Sequence, residues 1–101
     1  MTRELAEELL VESNPEALFM DGFDDAIIGI AERPNLGPIV AYDESKIIEI
    51  LAIQMEVEEE DLDGRDDLDV RLEMALEYYD YNINGAWLGE GTPIIIKTTL
   101  Y

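Results

Sequence analysis

Apolar residues recur along this chain in two rhythms, helical and strand-like, separated by one long polar interruption. Near the amino end Leu5, Ala6 and Leu9 share one helical stripe and Thr2 stands where a cap would, so the spacing predicts a short helix from Thr2 to about Glu12. Ser13-Asn14-Pro15 interrupts it. Asn14 as a cap, with Pro15 at the first helical position, predicts a further turn or two through Glu16, Ala17 and Leu18, which Asp21-Gly22 stops. From Asp25 the rhythm changes to short β-branched runs bounded by turn residues. Ala26 to Ala31 and Pro38 to Tyr42 answer each other across Arg33-Pro34-Asn35-Leu36-Gly37, which predicts a β-hairpin.

Asp43 is placed to cap a helix in which Ile47, Ile48, Ile50, Leu51 and Met55 form the broad apolar face of a helix lying on a sheet. The stretch from Glu56 to Asp69 breaks the pattern with nine acids and one base, Arg65, and reads as a solvated loop or a frayed helix end. A second long helix follows, with Leu68, Leu72, Ala75, Leu76, Tyr79 and Ile83 on its stripe, Asp66 or Asp67 as cap and Gly85 at its end. After a turn from Gly89 to Pro93, the apolar triplet Ile94-Ile95-Ile96 suits a strand inside a sheet better than an edge. The sum is an α+β layer structure. A small antiparallel or mixed three-stranded sheet, hairpin plus C-terminal strand, is expected to be covered by the two main helices, with the short N-terminal helix besides. At 101 residues the chain is expected to be a single domain, 1–101.

Charge changes this picture most. Against 25 acids stand six bases, a net charge of -19, yet 48% of the residues are hydrophobic, which sets the chain apart from disordered polyanions. Such a surface repels nucleic acid and anionic membranes, so direct binding of either is not expected. No apolar run approaches the ~20 residues of a membrane span, and Met1 to Leu10, with Glu4, Glu7 and Glu8, does not read as a signal peptide. A soluble, cytoplasmic protein is the expectation, in the host cytoplasm if the chain is viral.

Catalysis fares badly on inventory. Without His or Cys the commonest general base and the commonest low-pKa nucleophile are missing. Asp24-Asp25 is the one tempting carboxylate pair and reads better as a charged turn before a strand, while Ser45-Lys46 suits a first helical turn. Glu59, Asp61, Asp63 and Gly64 match the first, third, fifth and sixth positions of a calcium loop, but Val70 stands where its bidentate Glu belongs. The glycines at 85, 89 and 91 lack the spacing of a phosphate cradle. Neither enzyme activity nor a cofactor nor a dedicated metal site is expected. Among the aromatics, Tyr79 and Trp87 are expected in the core, and Tyr78 and Tyr81, off the apolar stripe, as exposed anchors.

Two stretches, Asp21-Gly22-Phe23-Asp24-Asp25-Ala26-Ile27-Ile28-Gly29 and Tyr81-Asn82-Ile83-Asn84-Gly85-Ala86-Trp87-Leu88-Gly89-Glu90-Gly91-Thr92-Pro93, resemble a group of short acidic proteins of tailed phages. The resemblance covers about two thirds of the chain, including the hairpin and the helix start at Tyr42-Asp43. It departs at Glu56 to Asp69, which is longer and more acidic here. The resemblance implies a viral accessory protein, and it carries no activity, so no residue inherits a role from it.

The function these observations favour is an inhibitor or modulator that offers carboxylates to a basic host protein, such as one that normally holds DNA or RNA, as a nucleic-acid mimic or an anti-defence inhibitor. The residues expected to bind are Glu58, Glu59, Glu60, Asp61, Asp63, Asp66, Asp67 and Asp69, with Asp21, Asp24 and Asp25 as a second patch and Tyr78 and Tyr81 as anchors. Two alternatives stand beside it. One is a small domain whose acidity serves solubility or life in high salt; the other is a structural protein that self-associates through a sheet edge, with monomer and dimer both open.

Overall fold

The computed structural model describes residues 1–98. Helix α1 (Arg3–Leu10) leads through a single 3-10 turn (Asp24–Ala26) to strands β1 (Ile27–Arg33) and β2 (Leu36–Asp43). Helices α2 (Glu44–Gln54), α3 (Glu59–Leu62) and α4 (Asp67–Asn82) follow, and strand β3 (Ile94–Ile96) closes the order. The class is α+β, with a three-stranded mixed sheet, a short N-terminal helix and two main helices. The chain forms two compact units, a sheet unit of residues 1–46 with the chain from Trp87 onward, and a helical unit of residues 47–86.

In the sheet unit, strand order is β1-β2-β3, with β1 antiparallel and β3 parallel to β2. Ile39, Val40, Ala41 and Tyr42 are buried one after another, as a central strand covered on both faces requires. The interior strand is therefore β2. The expectation that Ile94-Ile95-Ile96 lies inside the sheet is corrected: β3 is an edge, and Ile94 and Ile96 are exposed. An all-isoleucine triplet reports β propensity, and a three-residue edge needs no second covered face.

The hairpin is tighter than the expected five-residue loop. Arg33 pairs with Leu36, so only Pro34 and Asn35 turn, with Asn35 at φ 62°, a conformation asparagine tolerates. Between the pairs Ala31/Ile39 and Arg33/Leu36, β2 holds one residue more than β1, a bulge at Gly37-Pro38 where a proline costs no ladder bond. Asn14 fills this bulge. Its Nδ2 donates to the Pro38 carbonyl at 2.9 Å, and a Cβ on Gly37 would stand 2.8 Å from the Asn14 side chain. Of the turn or two expected after Asn14-Pro15, one forms, Ala17 N–H to the Asn14 carbonyl at 3.2 Å, and the Asn14 side chain is turned to the hairpin.

Thr2 caps α1 as expected, accepting from the Leu5 N–H at 3.2 Å. The buried face is Ala6 and Leu10, however, and Leu5 and Leu9 are exposed. Tyr42 is buried and its hydroxyl accepts from the Met20 N–H at 2.8 Å; burial pushes its pKa above the ordinary value of 10.0, with that N–H pulling the other way. Asp43 caps α2 through the Ser45 N–H at 3.1 Å and also accepts from the Thr98 hydroxyl.

Of the face the spacing predicts on α2, Ile47, Ile48 and Leu51 are buried, joined by Ala52, while Ile50 is half-buried and the helix stops at Gln54, before Met55. On α4 the buried residues are Val70, Ala75 and Tyr79. Leu68, expected on that stripe, is 58% exposed in the first turn, and Val70 holds the buried position instead.

A candidate acidic binding surface

The Glu56 to Asp69 run, expected as a solvated loop or a frayed helix end, is solvent-exposed but carries a short helix of its own. Glu59–Leu62 forms one helical turn, and α4 is already under way at Asp67. The acids themselves organise it. The Asp61 carboxylate accepts from the Glu58 N–H at 3.1 Å, which ties the start of α3, and carboxylates are favoured there by the helix dipole. Asp63 at φ 46° and Gly64 at φ 80° reverse the chain, and the Arg65 N–H closes onto the Leu62 carbonyl at 2.8 Å. Asp66 then caps α4, accepting from the Leu68 N–H at 3.0 Å.

Both arginines of this unit are engaged. Arg65 pairs with Glu73. Arg71 reaches Asp67 at 2.7 Å, and its Nη1 donates to the Ala52 carbonyl at 3.4 Å and to the Met55 carbonyl, closing the end of α2, whose last turn has no base of its own. Residues 47–86 hold thirteen acids and these two bases, a net charge of -11 in forty residues.

All eight acids expected to bind, Glu58, Glu59, Glu60, Asp61, Asp63, Asp66, Asp67 and Asp69, are exposed. They separate into two kinds. Asp61, Asp66 and Asp67 hold the local structure as described, and Glu58 starts α3. Glu59, Glu60, Asp63 and Asp69 have no side-chain hydrogen bond or ion pair among the described residues. Asp61 also shares a cleft of about 220 Å³ with Arg65, Glu73 and Glu77, floored by Val70 and Met74. Glu73 and Glu77 belong to this acidic face although the sequence reading passed over them; their i, i+4 spacing on α4 was the available signal. In the calcium-loop comparison, Glu59 and Asp61 lie within a helical turn and Val70 is buried.

The second patch differs in kind. Asp21, Asp24 and Asp25 are exposed, but Arg3 sits among two of them, 3.4 Å from Asp24 and 3.7 Å from Asp21, while pairing with Glu7 at 3.0 Å and lying 4.6 Å from the Phe19 ring. The hydrogen bond to Glu7, with Asp24 adding, holds the guanidinium proton more firmly than usual. This patch is in the sheet unit and the acidic run in the helical unit.

Tyr78 and Tyr81 are exposed, Tyr81 at 92%, and Tyr79 is buried. Trp87 corrects the expectation of a core residue: it is 69% exposed beside an exposed Leu88, in a segment without regular structure. Among the described residues no group of three or more Asp or Glu is arranged to hold a metal ion, and no helix is long and apolar enough to cross a membrane. Comparison with protein-family models, curated proteins and solved structures returns no match. The class that fold and surface define is an α+β protein with a densely acidic helical unit.

Proposed function

We propose that this protein is a phage-type accessory protein that binds rather than catalyses, presenting carboxylates to the cationic groove of a basic host protein in place of nucleic acid. The observation that carries the reading is the charge of the helical unit, residues 47–86, where thirteen acids stand against two arginines, both engaged. At ~1.5 Å per residue α4 is about 24 Å long. With its cap it carries six carboxylates, Asp66, Asp67, Asp69, Glu73, Glu77 and Asp80, where one DNA strand of that length carries about seven phosphates.

Helices hold these charges in place before binding, which lowers the ordering cost of association, and the net charge steers a cationic partner toward them. The likeness of Asp21 to Gly29 and Tyr81 to Pro93 to tailed-phage proteins is the reason to look for that partner in a bacterial host. The test is capture from nuclease-treated bacterial lysate on the immobilised protein. Captured proteins are expected to be basic, to elute as salt rises and to be displaced by duplex DNA. Retention indifferent to both salt and DNA, or turnover of a small molecule by the purified protein, contradicts the reading.

A further inference from the structure

Resting on that reading of a basic partner, we propose that a groove in the sheet unit, between α1 and the β1-β2 hairpin, takes an apolar anchor carried on a basic segment of the partner protein. The groove encloses about 550 Å³, within the range of pockets that bury a compact ligand or a few side chains. Leu9, Ile30, Leu36 and Pro38 make its walls. Leu9 is 51% exposed because α1 rests on Ala6 and Leu10 and leaves the Leu5/Leu9 flank uncovered, and Leu36, at the start of β2, is 46% exposed. Leu9 and Leu36 thus offer apolar contact at a groove whose edge carries Glu32.

Charge decides the occupant. The Ser13 hydroxyl donates to the Leu9 carbonyl at 3.0 Å, and Arg33, the one cation in the lining, turns Nε (2.9 Å) and Nη2 onto the Gly37 carbonyl. Glu32 remains at the rim, and Glu8 and Glu12, next to Leu9 and one turn beyond it, are exposed. A small polar ligand would meet a single guanidinium half-spent on Gly37, and the three acids outnumber that one cation for a charged occupant. A second copy of the chain would bring -19 against -19. A segment with leucine-like side chains flanked by Lys or Arg satisfies both the walls and the rim.

Two synthetic helical peptides of equal positive charge test this, one built of Leu and Lys and one of Ser and Lys. The wild-type protein is expected to bind the Leu/Lys peptide about tenfold more tightly, the difference that burying one or two apolar anchors makes. The double variant Leu9→Asp, Leu36→Asp should lose that advantage although it adds negative charge, and Leu9→Ala with Leu36→Ala, which alters only exposed side chains, should lose it too. Undiminished or tighter Leu/Lys binding by the variants overturns the groove. Equal binding of both peptides by wild type also overturns it and leaves the basic-partner reading standing, whereas failure of both peptides to bind in dilute buffer removes both.

Discussion

In the sheet unit Arg3 alone reaches three carboxylates, Glu7, Asp21 and Asp24, and twelve acids stand against four bases, a net charge of -8 over sixty-one residues. The helical unit carries -11 in forty, and its arginines have one carboxylate partner each. The sheet unit is held by strand pairing and by close approaches that leave no room for a Cβ, of the Asn14 side chain to Gly37 and of the Glu16 backbone to Gly91. The helical unit is held by caps, several of them acidic. Acidity here serves two ends, so the acids that fold the unit must be told apart from those left over.

The largest expected effect is in the sheet unit. A Cβ at Gly91 would stand 2.5 Å from the Glu16 carbonyl oxygen, beside the bond from the Leu18 N–H to Gly91, so Gly91→Ala should cost about 3 kcal/mol in denaturant unfolding. Its counterpart in the helical unit, Gly64→Ala, meets no atom and bears only the strain of φ 80°, about 1 kcal/mol. Next comes the contrast between arginines. Arg71→Ala removes donors from the Ala52 and Met55 carbonyls and should cost about 2 kcal/mol, while Arg65→Ala, an exposed pair, should cost less than about 1 kcal/mol.

Tyr42→Phe leaves the Met20 N–H without its acceptor, a loss of about 1.5 kcal/mol at neutral pH. Because the folded pKa lies above the ordinary one, the wild-type protein should lose stability as pH climbs from about 10 toward that higher value, and Tyr42→Phe lacks this loss. The gap between the two proteins should therefore narrow in alkali; a constant gap through that range would contradict the burial of the hydroxyl. Asp66→Ala, the cap of α4, should cost about 1 kcal/mol by thermal unfolding. Smallest of all, Glu59→Gln, Glu60→Gln, Asp63→Asn and Asp69→Asn together should shift stability by no more than about 0.5 kcal/mol, because eased repulsion offsets the helix-dipole interactions lost with Glu59, Glu60 and Asp69 in the first turns of α3 and α4.

The elements with a strong period were legible in the sequence. The faces of α2 and the cap at Thr2 followed from spacing and capping chemistry alone, as did the hairpin. What spacing could not supply was competition between partners. Asn14 has the chemistry of a helix cap, and only the bulge at Pro38 decides that its amide goes elsewhere. Hydrophobicity alone places Trp87 and Ile94 to Ile96 inside, because it reports what a residue costs in water but not whether neighbours are there to cover it. Of the acidic surface, the sequence identified the residues but not their division, since caps such as Asp66 and uncommitted acids such as Asp69 look alike until the helix start is known.

That division points to the most direct measurement. The affinity for a captured basic protein, followed against salt, should fall steeply for the wild type, and the variant neutral at 59, 60, 63 and 69 should bind more weakly with a shallower slope while remaining folded. A folded variant that binds with wild-type affinity and wild-type salt dependence would contradict the claim that these side chains are the working surface.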